Sequence, residues 1–266
     1  MGLIELSRDH KRINDYLMRD QLRHIVPLKM WKAYGEHVQV LYASIGAEKG
    51  VMLHFPSVVS SFDAQTYPMS EHVLLVHCDG LLVARALLEH APSGTLVAKV
   101  AGKSEREAIL EHFAAERVSG VLSYTSGGEL PAAPSDIVES ERPDPRVLPL
   151  YEAQDHSAAW LNALADRGEL RCFTRFQGDE PIATCFTFCN FGRIWEIGGV
   201  FTQPDYRRQG HGHAVVTAAL HSLAKRKLIP RYQLHESNRN SQKLAESLGL
   251  RLFLTTEHFL CRAKRA

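Results

Sequence analysis

The apolar residues in the second half of the chain predict a strand, a loop and a helix in direct succession. Ile194 to Phe201 is an apolar run with the character of a strand. Ala214 to Leu228 carries apolar residues at helical spacing and ends on basic residues, as the last turn of a helix commonly does. The polar loop between them contains Gly210 and Gly212. This order leaves unpaired backbone N–H groups at the helix start, and such groups can bind a phosphate.

The rest of the second half alternates in the same way, beginning with a helix and a hairpin. The predicted elements are a helix over 151–165, strands over 170–176 and 182–191, a strand over 232–235, a helix over 238–249 and a last strand over 252–260. Gly178 lies in the turn that joins the two strands of the hairpin.

The first half begins with a helical pattern over 8–33 that is interrupted at Pro27, and a hairpin follows. Residues 57–70 are predicted to be mostly loop. Thereafter strands and helices alternate: a buried strand at 73–76, a helix over 81–90, a strand over 95–100, a helix that a capping box at 104–107 opens and that runs to 116, and a strand over 118–124. The alternation predicts an α/β fold with a mixed sheet that is parallel in part.

A segment rich in Pro, Gly, Ser and Glu separates the two halves. It covers residues 126–149 and shows little apolar periodicity, so we interpret it as an interdomain linker. The predicted domains are therefore 1–125 and 150–266.

Composition excludes some classes of function. The chain of 266 residues has a net charge of +1, with 31 basic and 30 acidic side chains, which argues against a nucleic-acid or anionic-membrane surface. Five scattered cysteines favour a reducing compartment, and the absence of a long apolar segment favours a cytoplasmic protein. Cys185 and Cys189 are better interpreted as buried thiols than as metal ligands, because no second pair lies nearby at ligand spacing. No metal site is predicted, and the histidines that flank Gly212 lack ligand partners.

The loop after the strand resembles a known coenzyme-binding motif. Val200, Pro204, Tyr206 and Arg207 are followed by Gly210 and Gly212 in the pattern Arg-x-x-Gly-x-Gly. In this register the segment resembles the pyrophosphate loop of the GCN5-related N-acetyltransferase (GNAT) superfamily. An ordinary surface turn with two glycines is the alternative.

A second stretch extends the resemblance to the end of the chain. Asn238, Ser241 and Leu244 stand at the spacings of the superfamily pattern Asn-x-x-Ser-x-x-Leu-Tyr-x-x-Leu-Gly-Phe, as do Leu248 and Gly249. Ala245 occupies the position at which many members have a tyrosine that protonates the departing thiolate. The resemblance thus leaves the proton donor of this chain open.

The first half repeats the order of elements but lacks the loop motif. Asp79, Gly80 and Leu81 follow the buried strand, and the carboxylate of Asp79 would repel a pyrophosphate. We predict a degenerate GNAT-like domain over 1–125, arranged in tandem with the second domain as in the glycine N-acyltransferase-like, or FR47-like, branch.

The resemblance implies which residues hold acetyl-coenzyme A or another acyl-coenzyme A. The end of the strand would receive the acyl carbonyl, the loop amides would hold the pyrophosphate, and Asn238 would lie close to the coenzyme while also capping its helix. The predicted coenzyme-binding residues are Val200, Phe201, Thr202, Arg207, Arg208, Gln209, Gly210, His211, Gly212, His213, Asn238 and Ser241. Gly198 and Gly199 either open the strand for the pantetheine arm or merely bend it.

Glu196 is the first candidate for the general base. It is the acidic residue of an otherwise apolar strand, and a carboxylate buried there could take a proton from an amine. Facing solvent or pairing with Arg193 is the alternative. His235 and Glu236, after the next strand, are the second candidates.

Two function classes follow from these residues. The first is an N-acyltransferase, most simply an N-acetyltransferase, that moves the acyl group directly to the amine of a small molecule or amino acid in a ternary complex. The second is a coenzyme A-binding sensor or interaction domain with weak catalysis. An aminoacyl transferase of tandem type is disfavoured by the balanced charge. The acceptor, the acyl chain and the oligomeric state leave no pattern in the sequence.

Overall fold

The computed structural model describes residues 4–264. Residues 1–3 and 265–266, at the outer ends of the two predicted domains, lie outside the described residues. Contacts divide the chain into two compact units, which are unit 1 (Met1–Val121 with Leu254–Ala266) and unit 2 (Leu122–Phe253).

The bounds of the units differ from those of the predicted domains in two places. The stretch predicted as a linker, 126–149, contains the strand Val138–Ser140, which pairs with a strand of unit 2. The segment Leu254–Ala266 was predicted to belong to the second domain, yet it clusters with unit 1 because its strand pairs there. The composition of residues 126–149 indicated an irregular segment, because amino-acid composition carries no information about which strands pair.

Unit 1 is a mixed sheet with helices. Its elements are β1 (Ile4–Ser7), α1 (His10–Met18), α2 (Ile25–Tyr34), β2 (Gln39–Ile45), β3 (Glu48–Pro56), α3 (Ser61–Thr66), β4 (His72–Cys78), α4 (Leu81–Leu88), β5 (Leu96–Val100), α5 (Lys103–His112) and β6 (Phe113–Thr125), whose last residues belong to unit 2. The strands follow the order β1-β2-β3-β4-β5, and the strand that ends the chain lies beyond β5. β4 and β5 are parallel, as the alternation predicted, and the other pairs along this order are antiparallel.

Four predictions for the first half were wrong. The helical pattern over 8–33 is interrupted over residues 19–24 and not at Pro27, which lies in the first turn of α2. The segment 57–70 contains α3, which Ser60 caps by accepting a hydrogen bond from the Asp63 N–H at 3.3 Å. The capping box at 104–107 does not open a helix, because α5 already begins at Lys103 after an extended Gly102. The same helix ends at residue 112, since Phe113 is extended and begins β6.

Unit 2 is a second mixed sheet. Its elements are β7 (Val138–Ser140), α6 (Leu148–Glu152), α7 (Ala158–Asp166), β8 (Leu170–Gln177), β9 (Glu180–Phe191), β10 (Ile194–Thr202), α8 (His211–Lys225), β11 (Ile229–His235), α9 (Arg239–Ser247) and β12 (Arg251–Ala263), whose later residues belong to unit 1. The order is β7-β8-β9-β10-β11, followed by the end of β6. The hairpin β8–β9 is antiparallel, as predicted, and the pair β10–β11 is parallel.

The predicted helix over 151–165 is two helices. α6 ends at Glu152 and α7 begins at Ala158, with Asp155 at a positive φ of 62° between them. Ser157 caps α7 by accepting a hydrogen bond from the Trp160 N–H at 3.2 Å. The interruption places His156 on the loop between α6 and α7.

The two faces of the unit 2 sheet carry different apolar clusters. Cys185 and Ile197 pack in the cluster that includes residues of α8, whereas Phe186 and Phe188 pack in the cluster that includes residues of α6 and α7. The alternation along β9 follows from the two-residue repeat of a strand. Glu196 is paired with Phe188 in the register and therefore lies on the α6–α7 face.

Candidate functional site

The parallel strands β10 and β11 separate beyond Ile197. Their register runs from Ile194 opposite Ile229 to Ile197 opposite Tyr232, while β10 continues to Thr202. On the other side, the register with β9 shifts between Gly198 and Phe201, which marks a β-bulge. Phe201 and Thr202 still pair with β9, so within the described residues it is the side of β10 facing β11 that has no strand partner beyond Ile197 and can hydrogen-bond with a ligand.

Glycine is required at the bulge for two separate reasons. Gly199 has a φ of 58°, a backbone conformation that other residues rarely adopt. A Cβ at this position would overlap the ring of Phe186 and would lie 3.1 Å from Cδ1 of Tyr151. The bulge shows that Gly198 and Gly199 bend the strand, and their role in opening it for a pantetheine arm stays a prediction.

The loop after β10 ends in a helix start with open backbone N–H groups. Gly210 is the N-cap of α8 with a φ of 83°, and its carbonyl accepts the first helical hydrogen bond from Ala214 at 3.0 Å. The N–H groups of residues 211–213 consequently have no partner within the helix. A Cβ on Gly212 would lie 3.3 Å from Oγ1 of Thr202, so this glycine allows the close approach of the helix and the strand end.

Cationic side chains surround this helix start. Arg207 donates from Nε to the Thr202 carbonyl at 3.1 Å, which fixes the guanidinium beside the end of β10. Arg208 is exposed and has a φ of 63°. Arg175 donates from Nη1 to Nδ1 of His211 at 2.9 Å, so that a third guanidinium, itself paired with Asp136, borders the first turn of α8. The arrangement favours an anion.

The remaining predicted coenzyme residues lie at the end of the loop and on a neighbouring helix. Gln209 donates to the Asp205 carbonyl at 3.1 Å, and Nδ1 of His213 lies 3.4 Å from Oγ1 of Thr217. Asn238 caps α9 by accepting a hydrogen bond from the Ser241 N–H at 3.1 Å.

Ala245 is fully buried on α9. It belongs to the apolar cluster that also contains Ile197 and Tyr232, so a side chain at this position enters the core. Burial raises the pKa of Tyr232, and a hydrogen bond with Ser241 partly opposes this shift.

Glu196 has two polar partners, and neither of them is Arg193. Its Oε2 accepts a hydrogen bond from Nδ2 of Asn190 at 2.6 Å and forms an ion pair with Nη1 of Arg231. The side chain of Arg231 is 3% exposed and also donates to Ser123 at 3.3 Å, while Glu196 is 17% exposed. Arg193 instead donates to the Lys227 carbonyl at 3.0 Å.

The second candidates for the base lie after β11. His235 contacts Oγ of Ser237 through Nδ1 at 2.7 Å, and both His235 and Glu236 have further partners.

An aromatic group on the α6–α7 face was missed by the sequence reasoning. His156 stacks on Trp160 with ring centroids 6.0 Å apart and packs edge-on against Phe186 at 5.0 Å. Trp160 in turn packs edge-on against Phe188 at 5.2 Å. Asp155 and the capping Ser157 are the signals that could have placed His156 on a loop rather than within a helix.

The cysteines predicted as buried thiols differ in burial. Cys185 is fully buried, its Sγ donates to the Val215 carbonyl at 3.4 Å, and burial raises the pKa of its thiol. Cys189 is half-buried. Over residues 4–264, no cluster of three or more His, Cys, Asp or Glu side chains is arranged to hold a metal ion, and no helix in this range has the length and apolar character needed to cross a membrane.

Residues 135–250 match the family model described as acetyltransferase (GNAT) family. The match begins within the stretch predicted as a linker and includes β7, the bulge, the loop and α9.

Solved structures show the same fold over nearly the whole chain. An acetyltransferase of the GNAT family from Colwellia psychrerythraea is 15% identical, with a TM-score of 0.62, and the alignment covers 98% of this chain and 100% of the other. A Drosophila protein is 13% identical with a TM-score of 0.58 and coverages of 98% and 99%. A tandem GNAT protein from the clavulanic acid biosynthesis pathway is 11% identical with a TM-score of 0.53 and coverages of 99% and 100%. The comparison with curated proteins gave no significant match.

The predicted fold class is confirmed as a mixed α/β GNAT fold, and a tandem arrangement agrees with these neighbours. Both units place a helix between two parallel strands, β4–α4–β5 in unit 1 and β10–α8–β11 in unit 2.

Proposed function

We propose that the chain is an acyl-coenzyme A-dependent N-acyltransferase, most simply an N-acetyltransferase, acting on the amine of a small molecule or amino acid. The proposal rests on the closeness in the chain of two backbone segments that can bind a ligand, the end of β10 and the start of α8. Beyond Ile197 the described chain pairs β10 with β9 but not with β11, and the same strand leads within a few residues to the open N–H groups at the start of α8. A diphosphate and a thioester on one carrier would use both surfaces at once.

The coenzyme would be held by the predicted residues of this segment. The N–H groups of the loop from Arg208 to His213 would hold the pyrophosphate, with Arg207 and Arg208 adding charge. The backbone of Val200 to Thr202 would receive the acyl carbonyl, and Asn238 and Ser241 would border the coenzyme from α9. A free β-strand N–H is a suitable donor to the oxyanion that forms when the amine attacks the thioester.

Unit 1 is proposed to bind no coenzyme. Its pair β4–β5 stays in register to Val76 opposite Val100, and the next open N–H, that of Cys78, donates to Oε1 of Glu105 at 3.1 Å. In unit 1, the Glu105 carboxylate thus binds the strand end that corresponds to the one proposed to receive the acyl carbonyl in unit 2. The carboxylate of the next residue, Asp79, is paired with Arg19. We expect one coenzyme per chain and a structural role for unit 1.

The compartment is proposed to be the cytoplasm. The described chain has five free cysteines, which agrees with a reducing environment where coenzyme A is available.

Titration calorimetry with coenzyme A tests the proposal. We expect one site per chain, and a loss of affinity of about tenfold or more in Gly212→Glu, because the added carboxylate repels the pyrophosphate. Gly128→Glu is the matched control, since Gly128 lies in unit 2 with no atom within 4 Å of an added Cβ. No binding, or equal binding by both variants and the wild type, would contradict the proposal.

Release of free thiol from acetyl-coenzyme A in the presence of a panel of primary amines and amino acids separates the two function classes. Acyl transfer to at least one amine is expected of the enzyme. Binding without transfer to any of them would leave the coenzyme-binding sensor as the function.

A further inference from the structure

We propose that His156 is the general base that removes the proton from the acceptor amine, an inference that rests on the proposed function. The residue lies in the loop between α6 and α7, entirely within unit 2.

The placement of His156 follows from the ring that separates it from the bulge. Phe186 packs edge-on against His156 with centroids 5.0 Å apart. The same ring lies against the bulge on its other side, since Cε2 of Phe186 would be 3.1 Å from a Cβ on Gly198 and the ring would overlap one on Gly199. The imidazole is therefore one ring away from the strand segment proposed to receive the thioester.

The loop holds the imidazole while leaving its nitrogens available. The backbone N–H of His156 donates to the Tyr151 carbonyl at 3.1 Å, and the ring stacks on Trp160 at an interplanar angle of 24°. Within the described range, neither ring nitrogen of His156 has a hydrogen-bond partner in the protein. A lone pair on such a nitrogen is free to accept a proton from a substrate.

The charges around His156 suit a base that works near neutral pH. Burial lowers the pKa of His156 from its ordinary value, and the negative charges of Asp155 and Glu196 partly oppose this shift. Trp160 and Phe186 bring no charge to the ring. The imidazole is therefore mostly neutral at pH 7, and the two carboxylates stabilise the imidazolium that forms when it accepts a proton.

Glu196 is less suited to be the base, although the sequence favoured it. Its Oε2 is already bound by both Asn190 and Arg231. Protonation of this carboxylate at either oxygen would remove the charge that pairs with the buried Arg231, which is unfavourable. Glu196 instead contributes a negative charge near His156.

The reaction step is balanced as follows. An ammonium group of the acceptor gives one proton to a ring nitrogen of His156 and becomes a neutral amine. The amine lone pair attacks the thioester carbon, a C–N bond forms and the C–S bond breaks with both electrons on sulfur. The nitrogen loses its second proton and the thiolate gains one, so that the products are an amide, a thiol and one proton released from His156 to water.

The test compares His156→Gln with the wild type, using acetyl-coenzyme A and the amine that the panel selects. We expect kcat/KM for the amine to fall by about 100-fold or more, the scale of a lost general base, with unchanged coenzyme affinity by calorimetry. The wild-type rate should rise with pH through a limb below pH ~6.5, and this limb should disappear in the variant. His37→Gln, at an exposed histidine of unit 1, is the control and should keep the wild-type kcat/KM and the wild-type pH limb.

Further arms separate the possible failures. Imidazole added to His156→Gly should restore part of the rate, which a merely structural role would not produce. Glu196→Gln should shift the pH limb rather than abolish it. A His156→Gln enzyme with wild-type kcat/KM and the same limb would overturn this inference alone, whereas a wild type that binds coenzyme A but acylates no amine would overturn the proposed function with it.

Discussion

The carboxylate of Glu196 lies directly opposite the buried guanidinium of Arg231 on the neighbouring parallel strand, and the two form an ion pair. We expect Arg231→Met to lower the free energy of unfolding by about 3 kcal/mol, because it leaves a mostly buried carboxylate unpaired. Adding Glu196→Gln to Arg231→Met should recover much of this loss. Urea unfolding of the single and double variants measures both effects, and additive losses would contradict the pairing.

Gly199 combines a left-handed backbone with the contact to Phe186. We expect Gly199→Ala to lower the free energy of unfolding by about 2 to 4 kcal/mol through backbone strain and overpacking together. Gly178→Ala is a matched control, because Gly178 has a φ of 59° and no atom within 4 Å of an added Cβ. Gly178→Ala should lower the free energy of unfolding by only about 1 kcal/mol, because backbone strain acts there alone. Equal losses in urea unfolding would show that Phe186 exerts no steric constraint.

Ala245→Tyr is predicted to harm the protein rather than restore a proton donor. The Ala245 side chain is fully buried in the apolar cluster with Ile197 and Tyr232, so a phenol overpacks the core by about 3 kcal/mol or more. Thermal unfolding and the thiol-release rate check this together. A stable variant with a raised turnover would show that the added ring reaches the coenzyme instead.

Unit 1 should lose stability in mild acid because of its buried histidines. Burial lowers the pKa of both His24 and His77, whose rings pack edge-on at 5.1 Å. The unfolded chain therefore binds protons that the folded chain excludes, so stability is complete above pH ~6.5 and falls below it. Each such histidine contributes a slope of up to about 1.4 kcal/mol per pH unit. Urea unfolding between pH 5 and 7.5 should show a smaller slope for His77→Leu than for the wild type, and an equal slope would contradict this assignment.

The sequence was most informative where local chemistry fixes the backbone. The strand, the glycine loop and the start of α8 follow from residues adjacent in the chain, and so does the cap that Asn238 forms on α9. The alternation of strands and helices in the first half also predicted the parallel pair β4–β5.

The sequence was least informative where distant residues meet. The partner of Glu196 is Arg231, 35 positions away on another strand, and a single sequence does not encode such pairings. The strand β7 and the membership of residues 254–263 in unit 1 depend on pairing with distant strands in the same way. His156 was assigned to a helix interior, because apolar periodicity continued across the loop that Asp155 and Ser157 create.

The pairing of β5 with residues 257–261 affects how the protein folds during its synthesis. Ribosomes make the chain from its amino end, so β5 lacks this neighbour until residues 257–261 have emerged. During that interval the nascent amino-terminal half exposes the backbone N–H and C=O groups along one edge of Leu96, Val97 and Ala98. Such an exposed strand edge promotes aggregation. Fragments that stop at residue 121 should therefore be insoluble, and addition of the missing strand as a peptide should rescue them.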